Sequence, residues 1–200
     1  MKIILSIGLM LLLIGCGSNK SEKSAAETTN QYAVNFENSS FKEAQAKAGK
    51  ENKVLFVDFY ADWCSPCKRL DKMVYKDKEA GEFINSNFVS LKIDGEKGEG
   101  PQLMKKFNIP GYPTLILFDP QGNEIDRVVG FGGDKDEYVQ TLKDYLQGKN
   151  TLNDYLARLK KDPGNVELNF TLAEKYLYRD ISKANKYFLK VLELDPQNKS

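Results

Sequence analysis

Three cysteines and no histidine stand among the 200 residues, and two of the cysteines sit as Cys64-Ser65-Pro66-Cys67. Thiols spaced this way can close on each other as a disulfide, and each can attack a disulfide elsewhere. The attacking species is the thiolate. Its pKa falls from about 8.5 to about 3.5–7.5 where the sulfur opens a helix and meets unpaired N–H groups at the positive end of the helix dipole. A strand feeding a helix at this motif places Cys64 there as the nucleophile. Cys67, one turn further in, then resolves the mixed disulfide and leaves the two cysteines joined; the reverse order oxidises a dithiol. Half of a zinc site, or a structural disulfide in an exported chain, are the other readings. Zinc is the poorer, because a closed site takes four Cys or His ligands and only two chains sharing the metal could supply them here. The expectation is no metal and no cofactor beyond the dithiol itself.

The strand is visible upstream. Val54–Tyr60 is a nearly continuous apolar, β-branched and aromatic run, the pattern of a central strand covered on both faces. Asp58 interrupts it. A carboxylate between Phe56 and Tyr60 is costly to bury, so either it does chemistry or it lies at a strand end paired with Lys92. Burial raises a carboxyl's hold on its proton toward neutrality, which is what a proton relay requires.

The remaining elements follow from pattern. Ser40-Phe41-Lys42-Glu43 has capping-box spacing and opens a helix expected to end near Gly49, with a turn over residues 50–53. A helix through Lys68, Leu70 and Met73 follows the motif, and a second carries Phe83 and Ile84. Residues 88–93 alternate as a strand, 101–107 read as a helix, and Thr114–Phe118 and Glu124–Val129 form a hairpin around Asp119-Pro120-Gln121-Gly122. A last helix spans about 134–146. That order gives an α/β fold, a mixed central sheet flanked by helices.

From about residue 34 to 148 the chain resembles the thioredoxin superfamily. The run Val57-Asp58-Phe59-Tyr60-Ala61-Asp62-Trp63-Cys64-Ser65-Pro66-Cys67-Lys68 carries the resemblance most specifically, with Ile109-Pro110-Gly111-Tyr112-Pro113-Thr114 second. The surroundings of Asp62-Trp63 and Asp71-Lys72 look closest to the periplasmic thioredoxin domain of transmembrane thiol:disulfide interchange reductases. The resemblance implies a thioredoxin fold and a role for Asp58 in passing a proton to and from Cys67, with Lys92 as a modulating charge. It implies that Pro113 is cis and lies against the cysteine pair, and that the backbone at Tyr112 pairs with an extended partner segment. A simple turn before the Thr114 strand is the plainer alternative. Trp63, Ser65, Pro66 and Tyr112 would border the partner groove. No charged or histidine side chain stands between the two sulfurs to hold the Cys64 thiolate further, which leans the pair toward reduction. Outside the cytoplasm a reductant needs a membrane electron-transfer partner to replenish it.

The N-terminus points outside. Lys2 precedes an apolar run over residues 3–14 broken only by Ser6 and Gly8. That is too short for the roughly 20 residues of a membrane span and right for a secretory signal. Leu13-Ile14-Gly15-Cys16 resembles the bacterial lipobox, which makes residues 1–15 a cleaved signal peptide and Cys16 a lipidated anchor; an ordinary signal peptide with an incidental cysteine is the alternative. Residues 16–33 are too polar to bury anything and read as a flexible tether. The expected place is the bacterial cell envelope, on the periplasmic face of a membrane. The expected partners are exported protein thiols and disulfides. A formal charge of +1, with no basic block, sets nucleic acid aside.

Residues 149–200 read as helical. Leu152, Tyr155, Leu156 and Leu159 share one face, Asp162-Pro163-Gly164-Asn165 stops that helix, and two more resemble a single tetratricopeptide hairpin with a short turn at residues 179–182. A lone repeat cannot bury itself, so it must pack on the preceding domain, a second copy or a partner. The competing overall function is a non-enzymatic lipoprotein scaffold; intact Cys64, Cys67 and Asp58 count against it.

Overall fold

The computed structural model describes residues 33–197, so the expected signal peptide, the Cys16 anchor and the tether up to residue 32 lie outside the described residues. Helix α1 (Phe41–Glu51) opens on the expected box: Ser40 Oγ accepts from Glu43 N–H at 3.3 Å, and Glu43 Oε2 accepts from Ser40 N–H at 2.9 Å. Such a cap contributes about 1 kcal/mol. The helix does not stop at Gly49. It runs to Glu51 and ends on left-handed Asn52, whose N–H reaches the Ala48 and Gly49 carbonyls. Gly49 is a contact residue instead, since a Cβ there would stand 3.0 Å from the Pro120 carbonyl oxygen.

Five strands, β1 (Phe36–Glu37), β2 (Val54–Tyr60), β3 (Phe88–Asp94), β4 (Thr114–Phe118) and β5 (Glu124–Val129), form one sheet in the order β1-β3-β2-β4-β5. The β1/β3 and β3/β2 pairs are parallel, and β2/β4 and β4/β5 are antiparallel. Two-residue β1 carries no periodicity and escapes sequence reading; its entry is fixed by the Ala33 and Val34 N–H groups, both donating to the Tyr75 carbonyl. Strand alternation sends Phe56 and Asp58 to one face of β2 and Leu55, Val57 and Phe59 to the other. The first face is covered by α2 (Ser65–Leu70), a π-helical turn (Asp71–Tyr75), α3 (Lys78–Asn87) and α5 (Lys135–Leu146), with Leu70, Val74, Ile84 and Leu142 against Phe56, Leu115 and Leu117. The second is covered by α1 and α4 (Gly100–Lys106), with Ala44, Ala48 and Leu103 against Leu55, Val57 and Ile116. The helix expected through Met73 thus changes to π geometry after Leu70.

Three C-terminal helices follow, α6 (Leu152–Lys161), α7 (Val166–Leu177) and α8 (Ile181–Leu194), one more than a bare hairpin. Leu172, Tyr176 and Ala184 form their own small core, with Leu156, Tyr187 and Phe188 packed on it. This unit docks on edge strand β5 through charge. The fully buried Asp126 carboxylate accepts from Leu152 N–H at 2.7 Å, from Lys175 Nζ at 2.8 Å and from Arg179. Glu124 accepts from Arg127 Nε at 2.8 Å and Arg179 Nε at 3.0 Å. Of the packing options the sequence left open, the unit does pack on the chain's own edge strand. Among the described residues, no helix is long and apolar enough to cross a membrane.

Candidate active site

Strand β2 ends at Tyr60, and Cys64 caps α2 four residues later. Pro66 lies in the first turn, where its missing N–H removes no helix bond. Cys64 Sγ accepts from Cys67 N–H at 3.1 Å, so the sulfur does face the helix start. The two cysteines are joined as a disulfide with Cα atoms 5.3 Å apart, and each is 2% exposed. Ser65 is exposed and Pro66 half-buried at the same rim.

Two loops complete the rim. The Tyr112–Pro113 peptide bond is cis. Buried Pro113 accepts from Gly130 N–H through its carbonyl at 2.8 Å, and Thr114 Oγ1 donates to the Gly111 carbonyl at 2.8 Å. Tyr112 packs against the cluster of Ala61, Cys64 and Cys67, and its ring meets Trp63 edge to face at 5.9 Å. Trp63 is 66% exposed and donates from Nε1 to Glu96 at 2.9 Å. Gly95 makes this possible: a Cβ there would lie 2.4 Å from the Tyr112 ring. Nothing in the sequence singled out Gly95 or Glu96.

Asp58 is wholly buried in mid-sheet, opposite Lys92 on β3 and Leu115 on β4. It is not a strand-end residue. Neither carboxylate oxygen accepts a hydrogen bond among the described residues, and Lys92 Nζ stays 3.9 Å away. Lys92 makes its close ion pair with Asp71 of the π-helical turn instead, above the rings of Tyr60 at 4.8 Å and Tyr75 at 5.4 Å. Burial pushes the Asp58 carboxyl up to about 7, Asp71 adds to the rise, and the Lys92 ammonium opposes it. Asp71 was not expected as a site residue, although its position four residues after Cys67 puts it on the same helical side and could have marked it. A cleft of about 480 Å³, lined by Tyr60, Cys67, Lys68, Asp71 and Lys92, opens this region to water. The hydroxyls of Tyr75 and Tyr138, 3.2 Å apart and buried, sit in the field of Asp58, and burial holds both far above the usual phenol range.

The structure therefore brings Trp63, Cys64, Cys67 and Tyr112, the residue before Pro113, to one rim, while Asp71 and Lys92 share a cleft with Cys67 and Lys92 stands 3.9 Å from Asp58. The sequence profile of the thioredoxin-like domain matches residues 41–146. The chain belongs to this thioredoxin-like family. Helices α6 to α8 lie beyond the match. The thiol:disulfide interchange protein DsbD of Yersinia pestis is 37% identical over 99 residues, 48% of this chain and 16% of that protein. DsbD of Haemophilus influenzae strain PittEE is 33% identical over 132 residues, 58% of this chain and 22% of that protein. The chain thus spans about a fifth of the length of these relatives. A candidate disulphide-isomerase from Bacteroides thetaiotaomicron, solved in solution, is 41% identical, with a TM-score of 0.53 over 58% of this chain and 96% of the other. The Cys64–Cys67 disulfide at a Cys-x-x-Cys motif fits a thioredoxin-like domain.

Proposed function

We propose that this thioredoxin-like protein is an extracytoplasmic protein disulfide reductase or interchange enzyme, held to a membrane by lipidated Cys16. The observation that carries the reading is Asp58, a wholly buried carboxyl pushed up to about 7 by its burial, in a chain whose Cys-x-x-Cys pair closes as a disulfide. In the reducing direction the Cys64 thiolate attacks one sulfur of a partner disulfide, and the partner's other sulfur leaves as thiolate and takes a proton. Cys67 then gives its proton to the Asp58 carboxylate, attacks Cys64 Sγ and displaces the partner's remaining thiolate. Two electrons pass from the Cys64/Cys67 dithiol to the partner. Lys92, fixed by Asp71, tunes the charge beside Asp58. The rim of Trp63, Ser65, Pro66 and Tyr112 receives the partner segment, while cis Pro113, without an N–H, leaves the Tyr112 backbone free to pair with it. The homology to DsbD supports a membrane redox partner as electron source and exported proteins as substrates.

Two experiments test this. Cys64→Ser abolishes turnover, whereas Cys67→Ser accumulates mixed disulfides visible on non-reducing gels; undiminished activity in both variants would sink the mechanism. The Cys64/Cys67 reduction potential, equilibrated against glutathione and read by Trp63 fluorescence, fixes the direction. A value near about −270 mV supports a reductase, and one between about −180 and −120 mV would mean an isomerase or oxidase.

A further inference from the structure

Two carbonyls that end helices, Phe107 after α4 and Tyr178 after α7, accept from one guanidinium nitrogen, Arg127 Nη1, at 2.9 and 3.3 Å. Asn108, in left-handed backbone at φ 50°, donates from Nδ2 to the Arg179 carbonyl at 3.3 Å. The loop leading to cis Pro113 therefore starts on the C-terminal helical unit. Where the two meet, a cleft of about 510 Å³ has Pro110 on one wall and Leu177, Tyr178 and Ile181 on the other. All three of the latter are exposed, Ile181 at 57%. Apolar residues gathered this way around a concavity differ from the single exposed side chains of any surface.

We propose that the α7–α8 turn is an accessory docking surface for the protein that exchanges disulfides at Cys64, taking an apolar side chain of the partner's extended segment into the cleft between Pro110 and Ile181. This rests on the dithiol activity proposed above. Continuity argues for that occupant. Pro110 precedes Tyr112 by two residues, and an extended chain advances about 3.3 Å per residue, so a segment paired beside Tyr112 enters the cleft within a few residues of its cysteine. The Asp180–Lys183 ion pair beside it, 3.3 Å long, carries both signs and offers no basic surface to lipid headgroups.

The test uses the reduced full chain and short Ser-rich peptides, each with one cysteine activated as a thionitrobenzoate mixed disulfide and one Leu scanned along the positions flanking it. Each rate constant is divided by that for glutathione disulfide. One Leu register is expected to react about tenfold faster than the all-Ser peptide, the discrimination typical of an apolar pocket, and Ile181→Ser or Tyr178→Ser should erase that preference. No preferred register, or a preference that survives both variants, overturns the proposal. A dimer in sedimentation that Ile181→Ser dissolves, without any Leu preference, assigns the cleft to a second copy and also overturns it. Inertness toward glutathione disulfide and every peptide would instead reject the dithiol activity itself.

Discussion

At the scale of single residues, Asp58 opposes stability, and the proposed mechanism uses it as the proton relay. Its carboxyl is raised to about 7 in the folded chain from about 4 when unfolded. Below about pH 4 both states keep the proton and folding pays nothing for it. Between about pH 4 and 7 the unfolded chain releases the proton that the folded chain holds, so stability falls as pH rises, by up to about 4 kcal/mol in all. Asp58→Asn escapes that loss. The variant should match the wild type in urea unfolding near pH 4 and exceed it increasingly up to about pH 7, with a constant margin above. A margin independent of pH would mean that Asp58 is not the titrating group. The same substitution removes the acceptor for the Cys67 proton and should slow the resolving step about 10²-fold at neutral pH, measured by stopped-flow decay of a mixed disulfide. Asp58 was legible because an acid in a seven-residue apolar strand violates the pattern around it. Asp71 violates nothing, as an acid on a helix, and only the fold brings it to Lys92.

At the scale of elements, pattern located the strands and helices that build the site but not the contacts that aim it. The capping box of α1, the apolar run of β2 and the Asp119–Gly122 turn are local signals and appear where expected. Gly49 read as a helix stop because glycine usually ends helices, whereas here it admits the Pro120 carbonyl. Gly95 was silent for a similar reason: its value lies in the Tyr112 ring that lies against it. Gly95→Ala forces that ring away and breaks its edge contact with Trp63. The expected result is a shifted Trp63 emission, a several-fold slower exchange with protein disulfides, and a stability cost of about 1–3 kcal/mol from overpacking. Unchanged emission and rate would show that the Tyr112 position does not depend on this close approach.

At the scale of the whole molecule, three helices with a small core of their own are held to the thioredoxin-like domain by Asp126. The sequence showed the helices through their apolar spacing. It could not show the docking, because Asp126 reads as an ordinary polar residue of a hairpin strand and its charged partners, Lys175 and Arg179, lie roughly fifty residues away in the chain. Lys175 is buried enough that desolvation pulls its pKa below the usual lysine range, and Asp126 is the charge that resists the fall. Asp126→Ala therefore leaves Lys175 in a partly dry interface without its carboxylate, leaves Arg179 with Glu124 alone, and strands the Leu152 N–H as well. Removing one member of such a network costs about 3–5 kcal/mol. The loss falls on the docking and not on the sheet, so limited proteolysis should cut near residues 148–152 in the variant while α1 to α5 stay resistant. The Cys64/Cys67 pair should still react with glutathione disulfide, and preference for apolar partner segments should vanish, since the wall formed by Tyr178 and Ile181 no longer faces Pro110. If Asp126→Ala unfolds in a single transition with no early cleavage, the C-terminal helices are an integral part of one cooperative unit, and their removal would cost the dithiol its scaffold as well as its selectivity.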